Sequence, residues 1–128
     1  MRAREVLPIP HFTPLPNSGA IYLGVFHLRG DIYPLIDVSP VLGLPAKRLT
    51  PDDMVILLDD GEDFAVGLVI DRIHGVLSYE PRALTMPRGD LDQRLEIFVR
   101  GVVQHQGRPV YLLDIDTLFR TRQLQAHF

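Results

Sequence analysis

The chain contains no cysteine among its 128 residues. This absence excludes disulfide bonds and thiol chemistry, and it removes the best ligands for a structural zinc ion. It is compatible with a reducing compartment. Stability therefore has to come from burial of the hydrophobic residues, which make up 46% of the sequence and suffice for one compact domain or a small pair of subdomains.

Long apolar runs and an excess of one charge are also lacking. No segment approaches the about 20 apolar residues that cross a bilayer. The start MRAREVLPIP has no continuous apolar region of the kind found in signal peptides. The net charge is −3, with basic and acidic residues interspersed. The sequence therefore predicts a soluble protein with no nucleic-acid partner and no direct membrane insertion.

The common sequence motifs of enzymes are missing as well. The five histidines show no paired spacing of three or four residues, and none of the three serines lies in a G-x-S-x-G motif. Acidic residues cluster at 52–53 and 59–63. They could hold a divalent ion in principle, but they lack the alternation of a calcium loop, so we interpret them as solvated loop residues. We expect no catalysis, no metal and no cofactor.

What the sequence does contain is a series of short apolar segments separated by glycine and proline. Residues 21–37, 54–71 and 97–115 read as β-hairpins, with both arms of the second buried, and residues 76–79 are a further candidate strand. The proline-rich stretch 5–19 predicts an extended connector, while 39–43 and 117–123 predict short helical turns. Roughly eight short strands with almost no helix indicate an all-β fold.

The first and third hairpins are related to each other. GVFHLRGDIYPLIDVSPVL and GVVQHQGRPVYLLDIDTLF align without a gap at an offset of 77 residues. The identical pairs are Gly24/Gly101, Val25/Val102, Gly30/Gly107, Leu35/Leu112 and Asp37/Asp114. This pattern indicates a repeated strand–turn–strand unit and hence two small β-barrels.

Asp37 and Asp114 occupy the same place in the two copies. Two carboxylates could form a catalytic pair. A repeated aspartate at the end of a strand more often bonds the backbone amides of the following turn, and we favour that structural interpretation.

Residues 24–38, GVFHLRGDIYPLIDV, resemble the central signature of the CheW-like family, G-V-x-N-L-R-G-x-x-x-P-[LIV]-[LIV]-D-L. Members of this family are the coupling proteins of bacterial chemotaxis arrays. Three further blocks resemble family segments in the family's order: REVLPIPHFTPLP, VGLVIDRIHGVLSYEP and FVRGVVQHQGRPVYLLDIDTLF. The resemblance therefore covers nearly the whole chain.

Two departures from the family pattern stand out. His27 replaces the usual asparagine, which keeps hydrogen-bonding capacity but changes shape. Family members also begin with two further strands ahead of the segment that matches Glu5. The first barrel would then be incomplete, with exposed edges. A second copy could complete it by strand exchange or close pairing as a homodimer, a partner could lend strands, or the chain could be a fragment of a longer product; we lean towards exchange between copies.

The resemblance implies two SH3-like β-barrel subdomains. We assign residues 1–50 with about 75–80 to a partial first barrel, and residues 51–74 with 95–116 to the second. The implied function is that of a non-catalytic cytoplasmic adaptor, associated with membrane receptor arrays. It would couple the cytoplasmic tip of a methyl-accepting chemoreceptor to the regulatory domain of a CheA-type histidine kinase. The alternative is a truncated paralogue that modulates another chemosensory-like array by binding only the kinase or a coupling protein.

Site residues follow from the same resemblance. Arg29 matches the signature arginine associated with receptor binding, and its planar donor fork suits carboxylates or carbonyls. The expected receptor-binding set is Arg29, Gly30, Gly24, Val76 and Glu5. For the kinase side we name Met54 and Val55, although core packing is the more frequent role of such residues.

Overall fold

The computed structural model describes residues 1–16, 21–87, 89 and 91–120. The chain forms two compact units, Met1–His74 and Gly75–Phe128. Strands make up most of the regular structure of the described residues, and the helices, all in the second unit, are few and short, which confirms the all-β prediction. No helix in the described ranges is long and apolar enough to span a membrane.

The first unit is built on one six-stranded sheet with the order β1-β5-β6-β4-β3-β2. Neighbouring strands are antiparallel except β4 and β6, which run parallel. The strands are β1 (Arg2–Pro8), β2 (Thr13–Pro14), β3 (Tyr22–Leu28), β4 (Asp31–Ile36), β5 (Met54–Asp59) and β6 (Ala65–Ile70).

The core of the first unit lies between the β3–β4 and β5–β6 hairpins. Phe26 and Tyr33 pack with ring centroids 5.7 Å apart. Leu35 of β4 joins them in a cluster with Val55 of β5 and Val69 of β6. The expected burial of both arms of the second hairpin is confirmed, because β5 and β6 each contain three or more buried residues.

The second unit is built on a two-stranded sheet of β7 (Val99–His105) and β8 (Arg108–Leu113). A single bridge joins Thr85 to Val102. The unit also contains a 3₁₀ turn at Pro81–Ala83 and two short helices, α1 (Gln93–Glu96) and α2 (Ile115–Phe119). Asp92 and Asp114 cap the two helices by accepting backbone N–H bonds.

Several sequence expectations differ from this structure. Residues 76–79 form no strand. The second hairpin, which we grouped with residues 95–116, is hydrogen-bonded to β1 and β4 of the first unit instead. We expected the first barrel to lack strands, but the first unit contains the six-stranded sheet and the second unit contains the two-stranded sheet. The physical reason is that strand pairing follows backbone hydrogen bonds between distant segments, which local patterns do not encode.

Two expected local features lie partly outside the described residues. The extended connector at 5–19 includes β1 and β2 at its described positions, but its residues 17–19 are not described. The terminal turn at 117–123 is helical as far as Phe119, and its residues 121–123 are not described. The predicted turn at 39–43 is present as hydrogen-bonded turns, including Gly43 N–H to Pro40 O at 3.2 Å.

Candidate functional site

The tip of the β3–β4 hairpin is a two-residue turn formed by Arg29 and Gly30. Both residues have positive φ angles, 50° and 85°. This is the backbone of the tight turns that match the twist of paired strands, and glycine adopts it without a steric penalty. Arginine adopts it less readily. The turn therefore presents Arg29 at a fixed place on the tip.

Arg29 is held by Glu5. The guanidinium donates two parallel hydrogen bonds to the carboxylate, at 2.5 Å from Nη1 to Oε1 and 2.9 Å from Nη2 to Oε2. Hydrogen bonding to Arg29 lowers the pKa of Glu5, and the same contact raises the pKa of Arg29. The arginine side chain remains 68% exposed. It is thus oriented by one carboxylate while its other donors face solvent.

The Arg29–Glu5 ion pair also shows that the six-stranded sheet is strongly curved. Glu5 lies on β1 at one end of the strand order, and Arg29 lies between β3 and β4 near the other end. The two can meet only if the sheet curls round on itself. Ile9 and Phe12, in the link between β1 and β2, are partly buried and pack against the core cluster.

Gly24 has a structural role in this site. A Cβ atom on Gly24 would lie 2.2 Å from the carbonyl oxygen of Thr13, which pairs with the neighbouring Val25. Only glycine lets β2 approach β3 this closely. By contrast, a Cβ atom on Gly30 would meet nothing within 4 Å. Gly30 is needed for its φ angle rather than for space.

The remaining predicted residues differ in accessibility. Val76 is completely exposed and belongs to the second unit. Met54 is partly buried at the start of β5, whereas Val55 is fully buried in the core of the first unit. The side chain of Val55 is therefore not on the surface, and it can affect a partner only by positioning β5.

Two acidic residues of the β5–β6 hairpin accept hydrogen bonds from backbone N–H groups of the same turn. Asp59 accepts a hydrogen bond from Gly61 N–H, and Asp60 accepts from Glu62 and Phe64 N–H. In the described part of the chain, no group of three or more histidine, aspartate or glutamate residues is arranged to hold a metal ion. These contacts support the interpretation of residues 59–63 as loop residues. For Asp53 the expectation of a solvated residue is wrong, because Asp53 is 4% exposed and pairs with Lys47.

Sequence reasoning missed the importance of Lys47, the single lysine of the chain. Its amine pairs with Asp53 at 2.9 Å and with Asp71, and its side chain is only 14% exposed. These bonds raise the pKa of Lys47. Burial of Asp53 acts to raise the pKa of that carboxyl, but bonds from Lys47 and Thr50 outweigh it and lower the pKa. A lone lysine among acidic residues was the available signal.

Lys47 also contacts the repeated aspartate of the first hairpin through its backbone. Its N–H donates to Asp37 Oδ2 at 2.7 Å, and Ser39 N–H donates to Oδ1 at 3.0 Å. Asp37 is 2% exposed. Asp114 in turn accepts from the Thr117 N–H and hydroxyl. Both aspartates bond the turn that follows their strand, as the structural interpretation predicted.

The sequence profile of the CheW-like domain matches residues 1–123. The chain belongs to the CheW-like family. Its relatives include the chemotaxis protein CheW of Rhizobium meliloti, 32% identical over 127 residues, which cover 98% of this chain and 81% of the relative. The chemotaxis protein CheW of Treponema pallidum is 27% identical over 128 residues, covering 98% of this chain and 75% of that protein.

A solved structure shares the fold. The scaffolding protein TtCheW from Thermoanaerobacter tengcongensis matches with a TM-score of 0.75 and 22% identity, covering 94% of this chain and 77% of that one. This similarity confirms the prediction of a CheW-like fold. The family match and the CheW relatives bear out the prediction of a chemotaxis coupling adaptor. The alternative of a modulator confined to another array is not favoured by these similarities.

Proposed function

We propose that this CheW-like chain is a cytoplasmic adaptor that binds the cytoplasmic tip of a methyl-accepting chemoreceptor and the regulatory domain of a CheA-type histidine kinase. It acts by binding and performs no catalysis. The observation that carries the proposal is the exposed guanidinium of Arg29 on the tip of a two-residue turn, where it is oriented by Glu5. Family membership supports the chemotaxis context.

The receptor side of the proposal follows from the chemistry of arginine. Its guanidinium carries five N–H donors in a planar fork, and two of them are used by Glu5. The remaining donors can bind a carboxylate or carbonyl oxygens on the receptor. Because the side chain is already oriented, binding requires less loss of rotamer freedom than binding by an unrestrained arginine.

The other receptor-site residues act in different ways. Gly30 provides the turn that presents Arg29, and Gly24 keeps β2 close to β3. Val76, fully exposed, is suited to an apolar contact. On the kinase side, Met54 is the accessible member of the pair, and Val55 fixes the strand from which Met54 projects.

The experiment is a binding titration of receptor-tip fragments with matched turn variants. Arg29→Glu should abolish receptor binding, because Glu5 would then face a second carboxylate and the donor fork would be gone. Gln106→Glu is the control, because Gln106 occupies the same turn position in the third hairpin with a φ angle of 51°. It should leave receptor binding unchanged. Unaltered affinity for Arg29→Glu would remove Arg29 from the receptor site.

A charge swap separates direct contact from positioning. In the double variant Glu5→Arg with Arg29→Glu, the ion pair can re-form in the opposite direction. If Arg29 touches the receptor, binding stays lost. Recovery of binding would show that only the ion pair matters. Kinase regulatory-domain binding, measured in parallel, should persist in all these variants; a wild-type chain that binds kinase but ignores every receptor tip would contradict the adaptor role.

A further inference from the structure

Lys47 lies in the segment between β4 and β5, and both its backbone N–H and its amine are bonded. The N–H donates to Asp37 Oδ2 at 2.7 Å. The amine pairs with Asp53 Oδ1 at 2.9 Å and with Asp71. The lysine is therefore fixed at both ends, because the buried Asp37 holds its backbone and two carboxylates hold its ammonium group.

The two carboxylates that bind the ammonium flank one pair of residues across β5 and β6. Asp53 immediately precedes Met54, the first residue of β5, and Asp71 immediately follows Ile70, the last residue of β6. Met54 and Ile70 are partners across the two strands. Lys47 therefore joins the two chain segments at the open end of the β5–β6 hairpin. We call Lys47, Asp53 and Asp71 the lysine clamp.

Asp53 is the buried half of the clamp, with a side chain that is 5% exposed. Its Oδ2 accepts from Thr50 N–H at 2.6 Å, while its Oδ1 accepts from Lys47. Its backbone carbonyl also accepts from Ile9 N–H at 3.1 Å. A buried carboxylate that loses its cation loses the main compensation for its desolvation. The start of β5 therefore depends on Lys47 to keep this position.

Asp71 is the exposed half of the clamp, with a side chain that is 85% exposed. β6 ends at Ile70, so Asp71 lies outside the strand pairing. Its contact with Lys47 ties the chain that leaves β6 to the chain that enters β5. Because solvent reaches this ion pair, added salt weakens it.

The lysine clamp and the Arg29 tip lie at opposite ends of the six-stranded sheet. β4 begins beside the tip at Asp31 and runs parallel to β6, where its last residue Ile36 pairs with Leu68. β6 continues from there to Ile70. A change at the clamp can therefore alter the start of β5 without reaching the receptor tip.

We propose that Lys47 is a positioning residue of the kinase-binding site. The inference rests on the proposed function, in which Met54 is the accessible residue of the kinase side. By joining Asp53 to Asp71, Lys47 holds the backbone on both sides of the Met54–Ile70 pair. The kinase domain then meets Met54 in one position, and less order has to be created on binding.

The test is a titration of the kinase regulatory domain with variants of the full 128-residue chain. Lys47→Met removes both ion pairs and leaves Asp53 buried without its cation, so kinase affinity should fall by about tenfold or more. Asp71→Asn removes only the exposed ion pair and should lower the affinity by about threefold. Because Asp71 is exposed, this variant is expected to fold. Receptor-tip affinity should stay unchanged in both variants, whereas a general loss of folding would lower it.

Two matched variants separate positioning from a general effect of charge. Asp52→Asn makes the same charge change beside Asp53, and neither ion pair of Lys47 includes Asp52. It should bind kinase as the wild type does. Asp71→Glu keeps the carboxylate and should restore most of the affinity lost in Asp71→Asn. At high salt the difference between the wild type and Asp71→Asn should shrink.

A measurement without kinase separates positioning from direct contact of Asp71 with the partner. The chain has three methionines, so methyl-labelled methionine gives few resonances. In the free chain, Asp71→Asn should shift or broaden the methyl resonance of Met54, and Asp52→Asn should not.

Several results would overturn the inference. These are equal kinase affinity in the wild type, Lys47→Met and Asp71→Asn, an equal loss in Asp52→Asn, or a Met54 resonance that Asp71→Asn leaves unchanged. A wild-type chain that does not bind the kinase domain would instead refute the kinase side of the proposed function, and this inference with it. The two kinds of failure are distinguishable, because only the second is seen in the wild type.

Discussion

The first and third hairpins of this protein share a backbone plan but have different surroundings. Both have a two-residue turn with two positive φ angles, and both have the same register shift. The first hairpin lies in a six-stranded sheet, and among the described residues the third pairs only within its own two strands and through one bridge. The comparison teaches that a repeated sequence reproduces local geometry, while burial depends on which neighbours cover it.

The turns of the two hairpins show the same principle on a smaller scale. Arg29 and Gln106 have φ angles of 50° and 51°. Arg29 is charged and meets a carboxylate from β1, whereas Gln106 at the equivalent turn position is uncharged. Both copies therefore form the same turn, and only the first carries a charged residue at this turn position.

Among the paired positions of the two hairpins, substitution of the repeated aspartates should give the largest difference in the loss of unfolding free energy. Asp37→Ala removes a buried acceptor of two backbone N–H groups, and we expect a loss of about 3 kcal/mol in the free energy of unfolding. Asp114→Ala should cost less, because Asp114 is half-buried and water can reach the freed N–H of Thr117. Urea denaturation of both variants measures the difference. Equal losses would mean that burial does not distinguish the two positions.

The paired glycines should give the next largest difference. Gly24→Ala forces a methyl group onto the backbone carbonyl of Thr13, and we expect a loss of about 2 kcal/mol from overpacking. At Gly101 the added methyl would meet the side chain of Leu84 at 2.5 Å. Since a side chain moves more easily than a backbone, Gly101→Ala should cost less. A larger loss at Gly101 in thermal or urea unfolding would contradict this ranking.

The Arg29–Glu5 pair should give a smaller, pH-dependent difference. The pKa of Glu5 lies below its ordinary value of 4.5 because of Arg29, so the carboxylate stabilises the fold above that value and loses this contribution as the pH falls through its folded-state pKa. Unfolding curves of the wild type and Glu5→Gln should therefore differ at neutral pH and converge in acid. Added salt should reduce the neutral difference. Curves that stay equally far apart in acid would exclude the pair as the cause.

The smallest effect is expected at the third hairpin's turn. Gln106→Asn replaces a residue with positive φ by one that tolerates it, and we expect a gain of about 0.5 kcal/mol. Arg29→Asn should gain less, because the contact with Glu5 is lost at the same time. Thermal unfolding of the two variants is the measurement. Destabilisation by Gln106→Asn would show that Gln106 makes a contact worth more than the turn preference.

Much of the local structure could be predicted from the sequence. The alternation of apolar residues and the glycines at the tips located all three hairpins, and the repeat located the two capping aspartates. Residues 76–79 were wrongly assigned as a strand, because their composition is that of a strand while no described segment pairs with them. The contact between Lys47 and Asp71 spans 24 residues and had no local pattern.

The sequence by itself determined the hairpins and their turns, because side-chain period, glycine φ freedom and capping act within a few residues. It also indicated the CheW-like family, through the resemblance of residues 24–38 and three further blocks to family segments. Only the tertiary structure decided that the β5–β6 hairpin joins the first unit, that Glu5 orients Arg29, and that Lys47 is enclosed by two carboxylates. These outcomes depend on closure of the sheet, which brings distant segments together through backbone hydrogen bonds and shared apolar burial.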